Sequence, residues 1–206
     1  MKLLKKYMCP FIETIRIKDG ITMNLDYHLK RLNRTREHFW PRCQRIGADE
    51  LLPNIPSSES LQKLRVIYNK DIITQDLSSY TRKNIEILSI IEDNTIDYTW
   101  KSTDRKVLTS LRAQAPSYAD EVIIIKNGCV TDTSYTNICF FDGKEWLTPD
   151  TPLLQGTMRR YLLDKGVIRE VRIRRKDIQY FKKVSLINAM MELGEIIIPI
   201  ENIRGI

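Results

Sequence analysis

Histidine is almost missing from these 206 residues: only His28 and His38 occur. The four cysteines, Cys9, Cys43, Cys129 and Cys139, form no Cys-x-x-Cys pair and have no histidine cluster beside them. No metal site is therefore expected. Thiols scattered in this way point to a reducing compartment. No apolar run approaches the ~18 residues of a membrane span. The opening MKLLKKYMCPF carries charge without the apolar stretch of a secretory signal. No run of five basic residues occurs, although the net charge is +7. A charge so dispersed suits an anionic small molecule as well as a nucleic acid. The expectation is a cytoplasmic protein with no membrane and no nucleic-acid partner.

Hydrophobic residues make up 42% of the chain and charged residues 29%, a globular balance with ample material for a core. FIETIRI alternates as a strand does, and Asp19-Gly20 follows as a turn signal. From Asp26, a candidate N-cap, Tyr27, Leu29, Leu32 and Phe39 recur at helical spacing up to Pro41. GADELLPNIPSSES reads as a short helix and a loop, and LRVIYN and NIEILSII as strands. The polar stretch EDNTIDYTW reads as a linker. Beyond it, Val107, Leu108 and Leu111 give a helical face, capped by Thr103 or Asp104.

EVIIIKNG ends in Asn-Gly, the strongest short hairpin signal. CVTD, TNICFFDGKEWLT, VIREVRIR, VSLINAMM and GEIIIPI read as further strands. QGTMRRYLLDKG opens a helix that stops near Gly166, and KDIQYFKK reads as a short helix. These elements predict an α+β protein of two lobes: an N-terminal lobe over 1–93, a linker over 94–100 and a strand-rich, barrel-like lobe over 101–206.

Four features carry chemistry, and each has an ordinary structural alternative. Lys101 follows Tyr98 and Trp100 at the expected junction; a partly desolvated lysine attacks aldehydes, whereas most lysines are surface groups. Asp132 follows a hairpin; buried, its carboxylate would keep a heterocyclic nitrogen protonated, and otherwise it ends a strand. Gly156-Thr157 opens a helix whose free N–H groups suit an anion. Arg31, on the first helix, could hold a phosphate or lie on a solvated face.

The order of these features along the chain resembles the class IV, fold-type IV pyridoxal-phosphate enzymes. That family includes branched-chain and D-amino-acid aminotransferases and 4-amino-4-deoxychorismate lyases. FIETIRIKDGITMNLDYHLKRLNRT resembles its first strand, turn and H-x-x-R-L helix, and YTWKSTDRKVL its Schiff-base lysine segment. The specific part is IIIKNGCVTDTSYTNICFFDGKEWLTPDTPLLQGTMRR, which resembles its long signature. LINAMMELGEIIIPI resembles the terminal strands.

The resemblance implies pyridoxal 5'-phosphate between an N-terminal α/β sandwich and the barrel-like lobe, in a homodimer. It implies that Lys101 binds the cofactor and moves the proton, and that Asp132 meets the pyridine nitrogen. Arg31 and the amides around Gly156, Thr157 and Met158 would hold the phosphate. Asn137 closes the signature, and Asn188 and Ala189 lie near the cofactor. The usual glutamate is replaced by Asp132, a common threonine by Met158, and the glycine-rich segment before the first strand is absent, which marks a short member.

The expected substrate is a small amine. INAMM is more similar to the lyase pattern than to the aminotransferase loop, so release of pyruvate and p-aminobenzoate in the folate branch is preferred. An amino-acid aminotransferase and an inactive cofactor-binding relic are the alternatives. Arg65, Arg105 and Arg159 are candidate partners for substrate carboxylates.

Overall fold

The computed structural model describes residues 9–52 and 60–206. The first residues of the charged opening, and most of the loop expected before residue 60, lie outside them. The chain divides into two compact units, Met1–Thr81 with Trp100–Asp104, and Arg82–Thr99 with Arg105–Ile206.

In the first unit, β1 (Phe11–Lys18) is followed by the short β2 (Ile21–Thr22), α1 (Leu25–Phe39) and α2 (Ala48–Leu51). β3 (Gln62–Tyr68) and β4 (Ile72–Ser79) complete an antiparallel sheet of order β2-β1-β3-β4. Alternation along β1 turns Phe11, Glu13, Ile15 and Ile17 inward. The three apolar members pack with Leu32 of α1 and with Leu64, Val66 and Tyr68 of β3.

The helix starts two residues earlier than an Asp26 N-cap would place it. Asn24, in the left-handed region at φ 55°, precedes it, and Asp26 lies inside the first turn, where its charge complements the helix dipole. α1 also buries polar groups. Asn33 exchanges two 2.9 Å hydrogen bonds with the Ile46 backbone, and Arg36 donates to the carbonyls of Lys70 and Gln44. These contacts fasten the irregular segments to the helix without a further apolar face.

In the second unit, β5 (Leu88–Glu92), α3 (Lys106–Ala113), β6 (Glu121–Lys126) and β7 (Cys129–Thr133) come first. β8 (Asn137–Phe141), β9 (Trp146–Pro149), α4 (Thr157–Asp164), β10 (Ile168–Val171) and a 3-10 turn (Arg175–Tyr180) follow. β11 (Lys183–Ile187), β12 (Ile197–Pro199) and β13 (Ile203–Arg204) end the chain.

Among the described residues these strands form no closed barrel. They make two open sheets, β13-β5-β6-β7 and β10-β9-β8-β11-β12. β5 runs parallel to β6, with Ile90 opposite Ile123, so it belongs to this unit's sheet. The Asn-Gly hairpin forms as expected, with Asn127 at φ 52° and Gly128 at φ 73°. α3 begins after Arg105, and its Val107 is exposed while Leu108 and Leu111 pack on Val122 and Ile124. α4 covers the other sheet through Met158 and Leu162, against Cys139, Ile168 and Ile187.

Candidate functional site

In the first unit the chemistry centres on an acid that the sequence reading passed over. Glu13 is fully buried in the inward row of β1. His28 and Arg31, one turn apart on α1, both reach it. His28 Nδ1 lies 2.6 Å from Oε2; Arg31 donates from Nε to Oε1 at 2.8 Å and from a terminal nitrogen to Oε2 at 2.6 Å. Burial alone would push the Glu13 carboxyl up, but the Arg31 charge and hydrogen bonds, joined by His28, bring it down to about 2. Burial also holds His28 below its ordinary value, against the pull of Glu13. A neutral imidazole facing an ionised acid carries its proton on Nδ1. In the sequence Glu13 is one acid inside an apolar alternation, a pattern that names no partner until the H-x-x-R of the next helix is seen beside it.

Lys101 belongs to this same unit. Its carbonyl accepts from Ile12 N–H at 2.9 Å, Ser102 bridges Phe11, and Thr103 N–H donates to the Pro10 carbonyl at 2.8 Å. The segment therefore lies along the first half of β1. Trp100 anchors it from the other side, stacked on His38 with ring centroids 4.5 Å apart and set edge-on to Phe39. Lys101 is half-buried, and its charge is one of the influences lowering His28.

In the second unit, the polar run after Asp132 turns the chain from one sheet to the other. Thr133 N–H donates to the Thr136 carbonyl at 2.9 Å, and their hydroxyls lie 2.7 Å apart. Ser134 is held on both sides: its N–H donates to Glu121 and its carbonyl accepts from Arg105 at 2.8 Å. This corner brings Asn137, at the start of β8, onto Asp132, at the end of β7.

Asn137 Nδ2 donates to Asp132 Oδ1 at 2.7 Å and to the Leu154 carbonyl at 2.9 Å. Leu154 N–H donates to Asp132 Oδ2 at 2.9 Å. Both carboxylate oxygens are thus held, yet burial wins over these donors and the Arg159 charge, and the Asp132 carboxyl rises to about 6. A buried acid that titrates near neutrality suits a partner that shares a proton.

Gly156 precedes α4, and the helix has no side-chain cap. A Cβ on Gly156 would collide with Asn137 Oδ1, so the glycine leaves room for the amide that orients Asp132. Gly156, Thr157 and Met158 therefore bring an uncapped helix start, whose first N–H groups have no helical acceptor, next to the Asp132 cluster.

Asn188 reaches the corner through a 3.5 Å contact from Nδ2 to the Tyr135 carbonyl, while its Oδ1 accepts from Met190 N–H. Ala189 lies in the tight turn between Asn188 and Met191. Arg159 is not available to a substrate: it is buried and donates to the Pro149 carbonyl and to Glu170. Arg105 is engaged with Ser134, and Arg65 is exposed on β3.

Among the described residues, no helix is long and apolar enough to cross a membrane. The structure thus offers two donor sets, Arg31 and Lys101 in one unit and Asp132, Asn137 and the α4 start in the other. In the second unit a buried acid near neutrality beside a helix start without a side-chain cap suits a pyridine nitrogen and an anion, and in the first a half-buried lysine suits an aldehyde; these are the groups of a phosphorylated pyridine aldehyde.

The comparisons bear on that fit. The model of amino-transferase class IV matches residues 11–197, and the chain belongs to that family, whose enzymes use pyridoxal phosphate. An uncharacterised protein of Haemophilus influenzae is 37% identical over 186 residues, 89% of this chain and 98% of that one. The crystal structure of a candidate 4-amino-4-deoxychorismate lyase from Haemophilus somnus 129PT is 32% identical, with a TM-score of 0.80 over 91% of this chain and 99% of that one. A hypothetical aminotransferase from Mycobacterium tuberculosis, solved with pyridoxal phosphate bound, shares the fold: 17% identity and a TM-score of 0.70 over 93% and 81% of the two chains.

Proposed function

We propose that this class IV enzyme is a 4-amino-4-deoxychorismate lyase that releases pyruvate and p-aminobenzoate. The observation that carries the reading is the likeness to the Haemophilus somnus candidate lyase, which spans almost all of that chain at 32% identity. The INAMM segment, which runs from the last residue of β11 into the turn after it, supports the same choice.

In this reading Lys101 attaches the cofactor and moves the proton that leaves the substrate carbon. Asp132, oriented by Asn137 and Leu154 N–H, holds a proton at the pyridine nitrogen. Arg31 and the amides at Gly156, Thr157 and Met158 hold the phosphate. Asn188 and Ala189 border the site from the late turn. When bound, pyridoxal phosphate supplies an electron-poor ring that takes up the charge left by the removed proton. Asp132 keeps that ring electron-poor by staying ionised while the nitrogen is protonated. Asn137 acts through Asp132, since its amide nitrogen donates to Asp132 and to the Leu154 carbonyl. The active form is a homodimer, which light scattering checks as twice the 24.2 kDa chain mass.

The test is turnover of 4-amino-4-deoxychorismate by the purified, cofactor-loaded protein, read as pyruvate and p-aminobenzoate. Equal amounts of both are expected. An amino group passed to a 2-oxo acid without pyruvate release would instead make it an aminotransferase. Cofactor binding with no turnover of any amine would make it a relic.

A further inference from the structure

Glu13 is a buried acid to which the proposed chemistry assigns no part. Folding alone gives little reason to place a carboxylate in the inward row of β1, between Phe11 and Ile15. What distinguishes it is how it is held. Arg31 meets it side-on, with Nε on one oxygen at 2.8 Å and a terminal nitrogen on the other at 2.6 Å. This fork fixes the plane and the rotation of the guanidinium.

His28 Nδ1, 2.6 Å from Oε2, steadies the carboxylate from a further direction. The acid is carried by a strand rather than a loop, so the arrangement is rigid. The Arg31 side chain is 14% exposed, so its charge is not dispersed in bulk water. The same stretch of β1 carries the Lys101 backbone through the Ile12 hydrogen bond.

We propose that Glu13 is a positioning residue: clamped by His28, it sets the Arg31 guanidinium so that Arg31 engages the cofactor phosphate in a single orientation. The inference rests on the reading of Arg31 as a phosphate ligand. Glu13 acts only through Arg31, and the ligand feature it governs is the phosphate.

The test compares pyridoxal phosphate with phosphate-free pyridoxal. Both are titrated into the apoprotein by tryptophan fluorescence, for wild type, Glu13→Gln, Arg31→Gln and the double variant. Glu13→Gln keeps the shape and an acceptor for His28. Each single variant is expected to lose about tenfold or more in affinity for pyridoxal phosphate, with pyridoxal unchanged, and the double variant to be no worse than Arg31→Gln. The inference is overturned if Glu13→Gln leaves the ratio of the two affinities unchanged or raises it, if it weakens both ligands equally, or if the double variant loses more than Arg31→Gln. A ratio unmoved by Arg31→Gln would remove the phosphate reading as well, a result distinct from a silent Glu13→Gln alone. Should Glu13→Gln fail to fold, His28→Asn, which leaves the Glu13–Arg31 pair intact, is read on the same ratio, with a smaller selective loss expected and an unchanged ratio overturning the inference.

Discussion

Asp132 and Glu13 show how one residue type takes opposite characters from its surroundings. Both are buried, but Glu13 faces a full cation and stays a strong acid, whereas Asp132 has neutral donors at both oxygens and becomes a weak one. Asn137 is the hinge of the second arrangement, and its room depends on Gly156. Gly156→Ala would place a methyl against Asn137 Oδ1, although its φ of −69° suits any residue. The expected loss is about 1–3 kcal/mol of stability, read by urea unfolding, from overpacking. The displaced amide should also let the Asp132 carboxyl rise further, visible as a higher pKa in a carbon-13 titration. Asp132, Gly156 and Asn137 were legible in the sequence because their order matches a family signature. Glu13 was not, because one acid in a strand pattern says nothing until its cations are seen beside it.

Elements were legible where their own residues decide them. β1 follows from its alternation and the β6–β7 hairpin from Asn127-Gly128, both local effects. The alternation has an energetic counterpart: Ile15→Ala, in the fully buried row of β1, should cost about 2–5 kcal/mol in denaturant unfolding. β4 escaped the reading because it is a polar edge strand, with Thr74, Asp76 and Ser78 along one side. The unit to which β5 belongs was equally hidden, since its parallel pairing with β6 is a long-range choice. The N-cap of α1 is Asn24 rather than Asp26 because the left-handed turn there sets where the helix begins, and Asp26 serves the dipole instead.

At the scale of the whole molecule, buried Asp132 and buried Glu13 shape stability against pH in opposite senses. The Asp132 carboxyl, ordinarily near 3.8, stands at about 6 in the folded chain, so the folded state binds more protons between those values. Its contribution is complete below about pH 4 and is lost as pH rises through about 6, some ~3 kcal/mol in all. Glu13 runs the other way. Its carboxyl falls from 4.5 to about 2, so its contribution is present above about 4.5 and is lost as pH falls through about 2. Thermal unfolding of the apoprotein should show both limbs, with Asp132→Asn removing the decline between about pH 4 and 6 and Glu13→Gln removing the acid limb. The two-unit division was less legible than the elements, because Lys101 follows the expected linker in sequence yet packs along β1 through backbone hydrogen bonds. The central claim, that this lysine carries the cofactor, is tested most directly by the absorption spectrum of the protein with pyridoxal phosphate, followed by borohydride reduction and peptide mass mapping, beside Lys101→Ala. The account predicts a near-violet band, abolished by borohydride and absent from the variant, with the added mass on Lys101. A band retained in Lys101→Ala, or the added mass on another lysine, would contradict it.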